Sequence, residues 1–318
     1  MLYALSLAFV AQITYDPLAP SDYKVPTSVA TWHDEKRDRD VPVRFYFPES
    51  KMPAEVIIFS HGLGGSRDNN SFLGEHLAQR GYFVIFTQHP GSDESVWKGQ
   101  RPAQIMPAMQ RAANGQNLKL RAEDIPFVIN QMEAENKRSG SPLYGRLNLK
   151  KIGMSGHSFG AVTTQAVSGQ WYPVIGNGWN DSRITAATMY SPSVSQGSDP
   201  KKQFEGVKVP WLLMTGTKDE ARVGGQTVEE RLAVFPALPA GNKYELVLWE
   251  GLHSAFGDGN RTLPGETGER NPNHHVAMKA ISTAFWDTYL KEDKLAKDWL
   301  VGKGPRSVLE EKDTWKKK

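Results

Sequence analysis

The chain has 318 residues, 39% of them hydrophobic and 23% charged, with a formal net charge of +3 and no cysteine. That composition is ordinary for a globular chain with ample core, and the missing cysteines exclude disulfides, thiolate metal sites and a cysteine nucleophile. A small net charge, with no long basic face and no glycine loop ending in Lys-Ser or Lys-Thr, argues against nucleic acid as a partner.

Residues 1–15 hold an apolar run at 2–10 that resembles the core of a secretory signal, although no Lys or Arg precedes it. The expectation is a secreted or periplasmic address, with a cytoplasmic one as the alternative. No run approaches the roughly 20 apolar residues of a membrane span. Residues 16–302 read as a single domain and residues 303–318, ending in Trp315-Lys316-Lys317-Lys318, as a solvated tail.

Within the domain, residues 41–47 alternate in polarity and residues 54–59 form a continuous apolar run, so both predict strands, the second buried. Residues 71–80 predict a helix stopped by Gly81, and residues 82–87 the next buried strand. Leu120, Ile125, Val128, Ile129 and Met132 fall on one face of a helix over 118–137. Residues 151–155, 184–190, 210–214 and 244–249 predict further strands, 228–235 a helix and 274–290 a terminal helix. Strand, helix, strand in short succession implies parallel crossovers: a mostly parallel central sheet flanked by helices, without a separate cap domain. Three stretches fit no regular element: 91–117, 169–182 and 257–273. The first two carry Trp97, Met106, Met109, Trp171, Tyr172 and Trp179, which either wall a cleft or cover the helices.

Ser158 lies at the centre of Gly156-His157-Ser158-Phe159-Gly160, between the predicted strand at 151–155 and a helical run at 161–167. A serine alcohol attacks only when a base can reach it, and a strand-to-helix elbow lifts it into reach; the crowding of that turn demands glycine two residues to either side. Such a serine needs a histidine base and an orienting carboxylate, which in α/β-hydrolases follow in the order Ser, acid, His. Asp219 comes one turn after the strand at 210–214, at the carboxyl end where open α/β sheets bind ligands; Glu220, Asp181 and Glu250 are held in reserve. His253 comes just beyond the strand at 244–249. His274 and His275 open the terminal helix, His33, His76 and His89 come too early in the chain, and His157 packs beside the nucleophile. Two backbone N–H groups must receive the oxyanion. Phe159 follows the nucleophile, and Leu63 is chosen from the glycine-rich turn Phe59-Ser60-His61-Gly62-Leu63-Gly64-Gly65.

That turn, His89-Pro90-Gly91-Ser92, the elbow and His253-Ser254-Ala255-Phe256 together resemble the dienelactone-hydrolase-like α/β-hydrolases near the group-II platelet-activating-factor acetylhydrolases, over roughly residues 41–290. The resemblance implies the α/β-hydrolase fold, serine esterase activity, no cofactor or metal, and Leu63 with Phe159 as oxyanion donors. Two positions depart from it. The acetylhydrolases place their acid where this chain has Tyr190-Ser191-Pro192, which sends the acid to Asp219, and dienelactone hydrolases proper use a cysteine nucleophile. The expected partner is a small-molecule or polymeric ester, with a cutinase-like polyester hydrolase, an amidase or peptidase, and a catalytically silent binding protein as alternatives.

Overall fold

The computed structural model describes residues 14–258 and 269–318. The signal-like segment lies outside the described residues apart from its last two, as does most of the stretch at 257–273. Among the described residues one nine-stranded sheet forms the centre. Its strands are β1 (Thr27–Asp34), β2 (Arg39–Tyr46), β3 (Ala54–Ser60), β4 (Phe83–Thr87), β5 (Leu147–His157), β6 (Ile184–Tyr190), β7 (Trp211–Lys218), β8 (Lys243–Leu252) and β9 (Thr314–Lys317). They lie in the order β1-β2-β4-β3-β5-β6-β7-β8-β9. Pairing is parallel from β4 to β8 and antiparallel at both margins. The helices are α1 (Ser71–Gln79), α2 (Pro102–Ala112), α3 (Gly115–Lys137), α4 (Phe159–Val167), α5 (Pro200–Phe204), α6 (Val228–Leu232), α7 (Val234–Ala237), α8 (Asn273–Tyr289) and α9 (Lys294–Val301).

The strand period of two divides the core into layers. From β3, Ile57 and Phe59 join Val84 and Phe86 of β4 beneath α1 and α8, against Leu73, Met278 and Phe285. Val56 and Ile58 point the other way, with Phe83 and Ile85, against Ile125, Val128 and Met132 of α3. Because helices cover both faces, β3 and β4 read as nearly continuous apolar runs, which is the signature of a buried parallel sheet.

Three expectations need correction, and one strand has no counterpart among them. Residues 303–318 are not a solvated tail: Gly304–Ser307 makes a 3-10 turn, and β9 pairs antiparallel with β8. Trp315 stacks on Tyr244 with ring centroids 5.6 Å apart, and Lys316 bonds Glu245 at 2.9 Å. Lysines read as solvation in sequence but here guard an exposed sheet edge against further pairing. The stretch 91–117 is not irregular, since it holds α2 and the start of α3. Pro102 starts α2 in its first turn, while Pro107 interrupts its hydrogen-bond ladder and disguises it in the sequence. The helix at 228–235 divides into α6 and α7 at Ala233. Finally, β1 has no counterpart among the expected strands: none of its side chains is fully buried, and its inward side, half-buried, offers only Ala30 and Trp32 to the core between Ser28 and Asp34.

Candidate active site

β5 ends at His157 and α4 begins at Phe159, leaving Ser158 alone on the turn with φ 57° and ψ −116°. A non-glycine residue held there carries strain on the order of 1–3 kcal/mol. The turn survives because its surroundings permit nothing else: a Cβ on Gly160 would stand 1.8 Å from the Ser60 carbonyl oxygen, and one on Gly156 2.3 Å from that of Gly160. The Ser158 N–H donates to the Tyr190 carbonyl at 2.9 Å, fastening the elbow to β6.

Asp219 follows the end of β7 and His253 the end of β8. The structure brings both to Ser158. His253 Nδ1 lies 2.6 Å from Asp219 Oδ1, and its Nε2 lies 2.9 Å from Ser158 Oγ. The ionised carboxylate only accepts, which assigns the proton to Nδ1 and leaves Nε2 to accept from the serine hydroxyl. Thr215 Oγ1 donates to Asp219 Oδ2 at 2.9 Å. Arg231 of α6, buried, completes the setting: its Nε lies 3.0 Å from Asp219 Oδ1 and donates to the Asp219 carbonyl at 2.5 Å. Its Nη1 holds the Ser191 and Pro192 carbonyls at 2.8 and 3.2 Å. Burial alone would raise the Asp219 pKa, but the Arg231 cation and the pairing with His253 outweigh it and hold the carboxyl well below the usual carboxylate range. Arg231 Nη2 also lies 3.2 Å from His253 Nδ1, a close neighbour rather than a second partner, since that nitrogen already donates to Asp219.

The reserve acids lie apart from this chain of bonds. Glu220 is exposed at the cavity rim, Asp181 pairs with Arg183 at 2.6 Å, and Glu250 pairs with Lys218. The His157 ring packs 4.9 Å from that of His253, beside the nucleophile as expected. His274 and His275 stand in the first turn of α8, the latter stacked on Phe72 at 3.7 Å. Leu63, in the turn after β3, and Phe159, first residue of α4, flank Ser158 in the cavity wall. Neither amide has a backbone acceptor among the described residues, as befits a first-turn helical N–H and an open loop. Among the described residues no group of three or more His, Asp or Glu is arranged to hold a metal ion.

The cavity above Ser158 has a volume of about 500 Å³. One wall is apolar, with Trp97, Met106 and Met109 from the segment before α3; the other is the loop carrying Glu220, Arg222 and Gln226. Of the two aromatic stretches, only the first reaches the cavity. In the second, Tyr172 packs edge-on against Trp179 at 5.2 Å and Trp171 lies under Lys202 at 4.6 Å. Two buried cations, Arg231 and Arg121, do not stand out in the sequence. Arg121 leaves a trace there: it occupies an inward position of the α3 periodicity, with Leu118, Ala122 and Ile125.

A helix-flanked parallel sheet with a serine on the turn after one strand, and an acid and a histidine after later ones, is the α/β-hydrolase architecture. Comparison with known proteins agrees. The profile of the family described as platelet-activating factor acetylhydrolase, isoform II, matches residues 44–123. That span holds Leu63 and Arg121 and stops short of Ser158, Asp219 and His253. Among solved structures, the ferulic acid esterase from Streptomyces cinnamoneus superposes with a TM-score of 0.61 over 94% of this chain and 99% of its own, at 19% identity. The latter is a likeness of fold. No curated protein matches the chain. Profile and fold are both in keeping with that architecture. Among the described residues no helix is long and apolar enough to cross a membrane.

Proposed function

We propose that the protein hydrolyses carboxylic esters through an acyl-enzyme on Ser158. Ser158 Oγ attacks the ester carbonyl while His253 Nε2 takes its proton, and the Leu63 and Phe159 N–H groups receive the oxyanion. Collapse of the tetrahedral adduct breaks the bond to the alcohol, which leaves with the proton from His253. Water then repeats the sequence, releasing the acid and restoring the serine. Asp219 holds the imidazole in the required tautomer and stabilises its cation. Arg231 and Thr215 keep that carboxylate ionised and aimed.

The observation that carries the reading is the unbroken sequence of hydrogen bonds from Ser158 through His253 to Asp219, at 2.9 and 2.6 Å, opening on the cavity. The acetylhydrolase profile and the esterase fold support the same bond type. The apolar wall favours an ester with a hydrocarbon or aromatic limb, each buried methylene adding about 0.8 kcal/mol of binding.

Steady-state hydrolysis of p-nitrophenyl esters, alongside matched amides, tests the proposal. Ser158→Ala is expected to abolish turnover at an unchanged melting temperature, and Asp219→Asn to lower kcat on the order of ten-thousand-fold. Full activity in Ser158→Ala would refute the mechanism. A faster amide than ester would reassign the substrate.

A further inference from the structure

Arg121 is fully buried in α3. A sealed guanidinium must satisfy its donors inside the protein, and where they go shows what it holds together. Nε donates to Thr163 Oγ1 at 2.9 Å, Nη1 to Ser92 Oγ at 2.9 Å, and Nη2 to Ser60 Oγ at 3.1 Å and to the His61 carbonyl. These acceptors belong to three separate segments: α4, the loop after β4, and the exit of β3.

Each segment leads to an oxyanion donor. Thr163 passes the contact on, its hydroxyl donating to the Phe159 carbonyl at 2.9 Å, and the guanidinium lies 4.7 Å over the Phe159 ring. On the other side, the bound His61 carbonyl comes two residues before Leu63. Ser92, bound through its side chain, accepts the N–H of Gly64 on its own carbonyl at 2.9 Å, one residue after Leu63. Leu63 is thus gripped from both sides by groups that converge on Arg121.

Behind Arg121 stands a second Ser-His-Asp series. Ser60 Oγ bonds His89 Nε2 at 2.8 Å, and His89 Nδ1 bonds Asp124 Oδ2 at 2.9 Å. Asp124 also accepts from Arg37 and Arg39, both at 2.8 Å. All three members of the series are fully buried. The carboxylate fixes the Nδ1 proton, Nε2 accepts from Ser60, and Ser60 is left to accept from Arg121, so every group has one consistent role. This series orients the guanidinium; its serine has no route to a substrate.

We propose that Arg121 is a positioning residue that sets the separation and aim of the Leu63 and Phe159 N–H groups. The inference rests on the acyl-transfer reading given above. Because the oxyanion exists only in the tetrahedral state, loosening this brace should lower kcat and spare ground-state binding.

Thr163→Val, close in shape but without the hydroxyl, cuts the link to Phe159; Arg121→Lys keeps the charge and gives up the fork. For each, kcat and KM on a p-nitrophenyl ester, the affinity of an alkylboronic acid that forms a tetrahedral adduct on serine, and the melting temperature are to be measured. Thr163→Val is expected to lower kcat about tenfold and boronate affinity by a similar factor, with KM within about twofold; Arg121→Lys is expected to lose on the order of a hundredfold in kcat. Variants that melt earlier yet keep kcat and boronate affinity, or that lose activity through KM alone, would reduce Arg121 to a packing element and overturn the proposal. Should Arg121→Lys fail to fold, Thr163→Val decides. A parent protein without esterase activity would overturn the acyl-transfer reading and this inference with it; an active parent with unaltered variants overturns this inference alone.

Discussion

Burial makes most histidines of this chain unfit to act as its base. It drives His157 down to about 3, with the neighbouring His253 charge adding to the effect, and His89 down to about 4 beside the Arg121 cation despite Asp124. Burial likewise brings His76 to about 4 and His275 to about 3, helped by nearby Lys279 and Arg270. All four folded values lie below the unfolded value near 6.5, so the unfolded chain takes up protons first as pH falls. Their stabilising contribution is complete above about pH 6.5 and is lost as pH drops toward 4 and then 3. The urea midpoint is therefore expected to fall between pH 7 and 4.5. A midpoint constant over that range would contradict the burial of these rings in neutral form. At this scale the sequence says much about His253, Asp219 and Ser158, because chain order and strand ends constrain them. It says little about Arg231, whose partners at residues 191, 192 and 219 meet it only through the folded arrangement of α6 against β6 and β7.

Elements buried on both faces are the most legible, β3 and β4 above all, because a nearly continuous apolar run flanked by turn residues fits a buried strand and little else. The margins are not. β1 and β9 have no fully buried side chain, and only Ala30 and Trp32 of the one and Trp315 of the other pack on the core, too few apolar residues to make a stripe visible in the sequence. For β9 the decisive partners, Tyr244 and Glu245, lie 71 residues back along the chain from Trp315 and Lys316. Asp313, just before β9, adds a further tie by accepting the Trp249 N–H at 2.8 Å. Ending the chain at residue 312 removes these contacts and uncovers the β8 edge. The truncated protein is expected to lose about 2 kcal/mol of stability in urea unfolding, from the buried part of Trp315 and the lost hydrogen bonds. An unchanged midpoint would mean that β9 rests on the sheet without supporting it.

At the scale of the whole molecule, the sheet order turns distant residues into neighbours. Ser158 follows β5, Asp219 follows β7 and His253 follows β8, and parallel strands deliver all three to one edge of the sheet. Leu63, after β3, arrives beside them because β3 pairs directly with β5. The proposed site therefore draws on two parts of the chain: an N-terminal part, matched by the acetylhydrolase profile, that holds Leu63 and Arg121, and a C-terminal part that holds Ser158, Asp219 and His253. The fold is legible from the alternation of strands and helices, whereas the brace is not, since it unites four segments through one side chain. The measurement that bears most directly on the whole is mass analysis of the protein after exposure to a fluorophosphonate. One adduct is expected, mapping to the peptide that holds Ser158, absent from Ser158→Ala and formed far more slowly in His253→Ala; labelling that persists in Ser158→Ala, or a parent protein that takes no label, would contradict the proposed nucleophile.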